Sequence, residues 1–101
     1  MSKLDGHPDD DGVLWLAGDF DLAATDDFRR LSRASVDGQR EFVLELSGVS
    51  FLNSSGIRAV VALARELDGR GLVLRNPAEN VRKVLRLVDV VGRDGIRLDP
   101  A

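Results

Sequence analysis

Three short apolar runs, each followed within a few residues by a segment of helical periodicity, restrict this chain to a small set of folds. Residues 13–17, closed by Gly18, residues 42–46 and residues 72–75 are the strand candidates. In the second run Phe42, Leu44 and Leu46 alternate to one face. A helix is predicted over about residues 24–36, where Phe28 and Leu31, with small Ala24 and Ser35, recur at helical spacing. Asp26 and Asp27 fall in its first turn and Arg29, Arg30 and Arg33 later, which suits the helix dipole. Asp37-Gly38 supplies its stop. After a short crossing, residues 47–52, a second helix spans about residues 55–67. Its inward stripe is Ile57, Val60, Val61, Ala64 and Leu67, widened by Ala59, Ala62 and Leu63. Asn76-Pro77 opens a third helix with Pro77 near its first turn, and Val81, Val84, Leu85 and Val88 are expected to face inward.

Strand–helix repeated three times calls for right-handed crossovers and a largely parallel sheet. Residues 95–98 read as a last short strand. Residues 8–12 are turn chemistry, and residues 1–11 read as frayed or as a short edge strand pairing antiparallel through that turn. The expectation is one α/β domain over residues 1–101, with a mixed, mostly parallel sheet. A chain of 101 residues has too few helices to cover both faces, so they are expected on one face.

Composition narrows the function. The chain is 44% hydrophobic and 31% charged, as in soluble globular proteins. It has no apolar run near the roughly 20 residues of a membrane span, and residues 1–11 lack the layout of a secretory signal. Without cysteine there is neither a disulfide framework nor a thiolate metal site. Net charge is −3, yet residues 1–27 hold eight aspartates against one lysine. Such an acidic first quarter argues against nucleic acid as a partner, since phosphate binding needs a concentrated basic face. No cofactor is implied, and a cytoplasmic location is expected.

The informative stretch is Asn53-Ser54-Ser55-Gly56-Ile57-Arg58, where a strand hands over to a helix. Asn53, Ser54 and Ser55 are all good N-cap candidates. Gly56 keeps the approach to the first amides unobstructed, and those amides carry the positive end of the dipole. A hydroxyl or a phosphate is well accommodated there. On spacing alone, serines at such a place read simply as caps.

The surrounding motif adds to that reading. Gly18-Asp19-Phe20-Asp21, then Leu46-Ser47-Gly48-Val49 leading into Asn53-Ser54-Ser55-Gly56-Ile57, and the Asn76-Pro77 turn together resemble the STAS domain family. More narrowly, the chain resembles the bacterial anti-sigma factor antagonists, over roughly residues 12–98. The resemblance implies a non-enzymatic transcription regulator that binds an anti-sigma factor with serine-kinase activity and so releases a sigma factor. ATP and Mg would sit on that partner. It implies phosphorylation of Ser54, abolishing binding, and a partner surface comprising Asp19, Asp21, Asn53, Ser54, Ser55, Gly56, Ile57 and Arg58. Asn53 stands where the family carries aspartate, removing one negative charge beside the site. STAS modules also serve as constitutive interaction parts in lipid-transport ATPase complexes or stress-signalling scaffolds, which is the alternative reading. The oligomeric state is expected to be monomer or weak dimer.

Rival chemistries lack their residues. A phosphoacceptor receiver domain needs an acceptor aspartate and a late lysine after a strand, where this chain has Asn53 and no such lysine. Asp19 and Asp21 have no evident third partner for a metal and read as turn and cap residues. The sole histidine, His7, lies in the N-terminal segment, which disfavours a serine–histidine nucleophile. Gly69-Arg70-Gly71 is a turn rather than a phosphate cradle. Trp15 is expected in the core or on the sheet face.

Overall fold

The computed structural model describes residues 4–36 and 41–100. Its elements are β1 (Leu4–Pro8), β2 (Leu14–Phe20), α1 (Thr25–Ser35), β3 (Phe42–Leu52), α2 (Ser54–Glu66), β4 (Leu72–Arg75), α3 (Glu79–Leu87) and β5 (Ile96–Asp99). A single 3-10 turn, Leu22–Ala24, leads into α1. The sheet order is β1-β2-β3-β4-β5, with β1 antiparallel to β2 and every later pair parallel. Each crossover steps to the adjacent strand in the same direction. Right-handed connections of that kind deliver all three helices to one face. The mixed sheet with helices on one side is therefore the expected architecture.

The core lies between that face and the helices. Leu14, Leu16, Leu44, Leu46, Leu72, Leu74, Ile96 and Leu98 meet Phe28 from α1, Ile57, Val60, Leu63 and Ala64 from α2, and Val81 and Leu85 from α3. Burying each large aliphatic side chain contributes roughly 1.5–3 kcal/mol. The Phe20 and Phe28 rings, 4.6 Å apart and tilted at 48°, join the end of β2 to α1.

Of the two readings of the N-terminal segment, residues 4–8 take that of the short edge strand, β1, antiparallel to β2. Several other local expectations are corrected. Gly18 does not close β2, which continues to Phe20. Residues 47–52 are not a crossing; β3 runs unbroken to Leu52. Its continuity was masked by two register shifts against β2, between Trp15 and Ala17 and between Gly18 and Asp19. The extra residues leave Leu46 and Val49 both buried, three positions apart, so the period of two is broken. Gly48 makes the first shift possible: a Cβ there would lie 2.8 Å from the Leu16 carbonyl oxygen. Ala78 caps α3, so Pro77 precedes the helix instead of entering its first turn. Val81 and Leu85 carry the burial of α3, while Val88, at its C-cap, is exposed. In α1 the buried partner of Phe28 is Ser32, whose hydroxyl donates to the Phe28 carbonyl at 2.7 Å; Leu31 is only partly buried. The stop expected at Asp37-Gly38 lies outside the described residues.

The opposite face carries no helix and is organised by charge. His7, Trp15, Glu45, Arg75 and Asp99 form one row across all five strands. Trp15 lies on this face, 38% exposed, with its indole N–H donating to Asp9 Oδ2 at 2.8 Å and the Arg75 guanidinium 5.8 Å from its ring centroid. Glu45 is 1% exposed. Its Oε1 accepts from Arg75 Nε at 2.6 Å and from Asn76 Nδ2 at 3.2 Å, and Oε2 accepts from the Ser47 amide at 3.2 Å. Burial raises the carboxyl's proton affinity, but these donors outweigh it and hold the group below the usual carboxylate range.

The unfolded chain therefore binds more protons at acid pH than the folded one. The stability from Glu45 is full above the ordinary glutamate range and is lost as pH falls through the depressed folded value. Acid unfolding followed by circular dichroism is expected to show a shallower pH dependence in Glu45→Gln than in the parent. Arg75→Ala, which strands a buried carboxylate, is expected to cost about 2–3 kcal/mol in urea denaturation at neutral pH.

Candidate functional site

Parallel strands that run in one direction bring their C-terminal ends to one edge, which is where α/β sheets place their functional loops. Here that edge collects the end of β2 at Phe20, the end of β3 at Leu52 and the end of β4 at Arg75. The turn into α2 sits among them. Asn53 is the N-cap, in extended conformation (φ −109°, ψ −172°). Its Oδ1 accepts from the Ser55 amide at 3.0 Å and the Gly56 amide at 3.2 Å. Two of the amides that a helix start leaves unpaired are thus satisfied by one neutral side chain. Of the three cap candidates in the sequence, Asn53 takes the role, which frees Ser54.

Ser54 is the first residue of α2 and is exposed, whereas Ser55 is half-buried. No acidic residue lies in the first turn of α2, in contrast to Asp26 and Asp27 in α1 and Glu79 in α3. Gly56 is buried against the end of β2. A Cβ there would fall 2.6 Å from the Phe20 carbonyl oxygen and 2.6 Å from Leu52 Cδ1. That same carbonyl accepts the Asn53 amide at 3.3 Å, so the strand end and the helix start are locked together. Ile57 is buried in the core cluster. Gly56 and Ile57 therefore seat the helix, while Ser54 and Arg58 are the exposed members of the motif.

Asp19 and Asp21 come to the same edge, each partly exposed. Asp19 Oδ1 accepts from the Ser50 hydroxyl at 3.1 Å, and the Ser50 carbonyl accepts from Asn80 Nδ2 at 2.9 Å, tying β2, β3 and α3. Asp21 precedes the 3-10 turn, and its carbonyl accepts the Ala24 amide at 3.0 Å. Two exposed apolar residues at this edge were not anticipated. Leu22, 72% exposed, follows β2, and Phe51, 47% exposed, pairs in register with Asp19. The same β3 register shifts that hid the strand also hid which way Phe51 points. Among the described residues no group of three or more His, Cys, Asp or Glu side chains is placed to hold a metal ion. Among them, too, no helix is long and apolar enough to cross a membrane.

A family model described as "Mlab, STAS domain" matches residues 4–98. The chain belongs to the STAS domain family. A solved structure of the anti-sigma factor antagonist SpoIIAA in its unphosphorylated form superposes with a TM-score of 0.68. The two chains are 22% identical, and the match covers 94% of this chain and 86% of that one. This likeness shows a shared fold, and it agrees with the mixed sheet and one-sided helices of this STAS domain.

The seating contacts give this STAS domain a sharp mutational signature. Gly56→Ala is expected to lower stability by about 1–3 kcal/mol, since a backbone carbonyl must move to admit the methyl. Asn53→Ala is expected to cost about 1 kcal/mol, and Asn53→Asp to retain the cap. Thermal unfolding of the three variants checks both.

Proposed function

We propose that this STAS domain is an anti-sigma factor antagonist, a cytoplasmic protein that binds an anti-sigma factor with serine-kinase activity and thereby releases a sigma factor. Its switch is phosphorylation of Ser54. The observation that carries the reading is the position of Ser54: exposed at the start of α2, uncommitted to capping, on the fold shared with SpoIIAA. Ser55 is half-buried and its amide is bound to Asn53, so Ser54 is the better acceptor.

In the proposed reaction Ser54 Oγ attacks the γ-phosphorus of ATP held with Mg by the partner. The Oγ–P bond forms, the bridging O–P bond to ADP breaks, and the hydroxyl proton passes to a base on the partner. The product carries about −1.5 to −2 charges at a helix N-terminus, where the dipole tolerates it. The domain therefore stays folded and the effect falls on the partner. A surface built to pack over Ser54, with Leu22 and Phe51 as apolar contacts and Asp19 at its rim, cannot close over the added phosphate. A loss of about 3–4 kcal/mol would weaken binding by roughly two to three orders of magnitude.

The neutral Asn53 favours one other reading, a constitutive STAS interaction module in a lipid-transport ATPase complex or a stress-signalling scaffold. It would use the same surface without phosphate.

Ser54→Asp is expected to weaken binding to the cognate anti-sigma factor at least about tenfold, equivalent to about 1.4 kcal/mol, while the thermal midpoint hardly moves. Undiminished affinity in calorimetry would refute the switch. Incubation with the kinase partner and ATP, followed by peptide mass spectrometry, is expected to place phosphate on Ser54. Phosphate on Ser55 alone would overturn the assignment, and an unmodified chain that still binds would support the constitutive module.

A further inference from the structure

We infer that Arg58 is the counter-ion of the phosphate on Ser54, so that the modified state is held on the domain's own surface. The inference rests on the reading of Ser54 as the modified residue and adds what happens to the phosphate once it is placed. Residues four apart on a helix are neighbours on one face, with Cβ atoms about 5–6 Å apart. Both Ser54 and Arg58 are exposed. A phosphate extends the serine by a tetrahedral group with three acceptor oxygens, and a guanidinium meets such a group with two parallel N–H donors. The arginine on the C-terminal side is also the favourable order, with negative charge toward the helix start.

Arg58 is available for this role. Arg29, Arg30, Arg33, Arg65, Arg75, Arg93 and Arg97 each lie within ion-pair distance of a carboxylate. Among the described residues Arg58 has no such partner; Arg82 and Arg86 lack one too, but both lie on α3 and not on the helix that carries Ser54. Its surroundings offer little competition. The first turn of α2 contains no acid, and the cap is the neutral Asn53. At the neighbouring strand end stand two partly exposed carboxylates, Asp19, which accepts from the Ser50 hydroxyl, and Asp21, and neither forms an ion pair with Arg58 among the described residues. Neutral cap and unpaired arginine act in the same direction. Each raises the local positive potential where a dianion would be carried, and an aspartate at position 53 would oppose both.

The consequence is a phosphorylated state that is stabilised by the domain itself and presents a bulky, partly neutralised Ser54–Arg58 pair. Arg58 is also withdrawn from any contact it makes with a partner. Release of the partner then follows from the occupied volume and the lost arginine as much as from charge repulsion.

The test installs phosphoserine at position 54 genetically, with no kinase, in the parent and in Arg58→Ala, Arg58→Gln and Arg58→Lys. Phosphorus NMR titration reads the second ionisation of the phosphate, which lies near about 6 when exposed. The value in the parent is expected to lie about half a unit below that in Arg58→Ala and Arg58→Gln, with Arg58→Lys between. The helix amides act equally on all four proteins, so the difference isolates residue 58. Equal values in the parent and both neutral variants would overturn the inference. Circular dichroism of the unmodified proteins is expected to show all of them folded, as an exposed arginine without partners predicts, and the agreement of Ala with Gln guards against a local distortion in either. Because the phosphate is built in, failure to find any kinase or anti-sigma partner would refute the proposed function and leave this result standing.

Discussion

The carbonyl of Phe20 and the α-carbon of Gly56 come so close that no side chain fits between them, and the geometry of the candidate site depends on this contact. It sets how near α2 can approach the end of β2, and the Asn53 amide bonds to the same carbonyl. With strand end and helix start joined, Asn53 is held in the extended conformation in which its side chain reaches back over two amides. Ser54 is then left on the outside. A larger residue at position 56 would have to push the helix start away from that strand end. The motif is thus a packing device first, and its chemistry is a consequence of the packing.

The helix-free face of the sheet obeys a different constraint. It has no second layer to bury apolar side chains against, so it uses a row of polar and aromatic groups that satisfy one another. Glu45, Arg75, Asn76, Trp15 and Asp9 form a connected set that reaches from the N-terminal turn to the β4–α3 loop. A buried carboxylate is costly unless every donor around it is in place. The set therefore ties the edge hairpin and the loop after β4 to the centre of the sheet, behind the edge that carries Ser54. Net stabilisation from such a network is modest, but its loss is expensive, which makes it a determinant of geometry more than of stability.

At the candidate site the two kinds of surface meet. Leu22 and Phe51 expose apolar area at the same edge as partly exposed carboxylates and Arg58, which has no carboxylate partner among the described residues. Exposed apolar side chains close to charged groups suit protein recognition, and an aromatic is the kind of residue that anchors it, which agrees with the proposed function. On the proposed reading, a phosphate on exposed Ser54 would change the charge of this edge without touching the core beneath.

The sequence by itself determined the order of elements, the one-sided helices and the helix start at residues 53–58. These follow from local periodicity, right-handed crossovers and capping chemistry, which operate over a few residues. It also marked Gly56 and the serine pair, though not which of three neighbours would be the cap. Tertiary structure decided the rest. The length of β3 was hidden because its bulges exist only in pairing with β2, and the bulges in turn set the outward direction of Phe51. The burial of Glu45 came from neighbours about 30 residues away in the chain, a distance no local pattern spans. The choice of Asn53 over Ser54 as the cap was made by the Phe20 carbonyl, a partner from another strand, and that choice leaves Ser54 exposed.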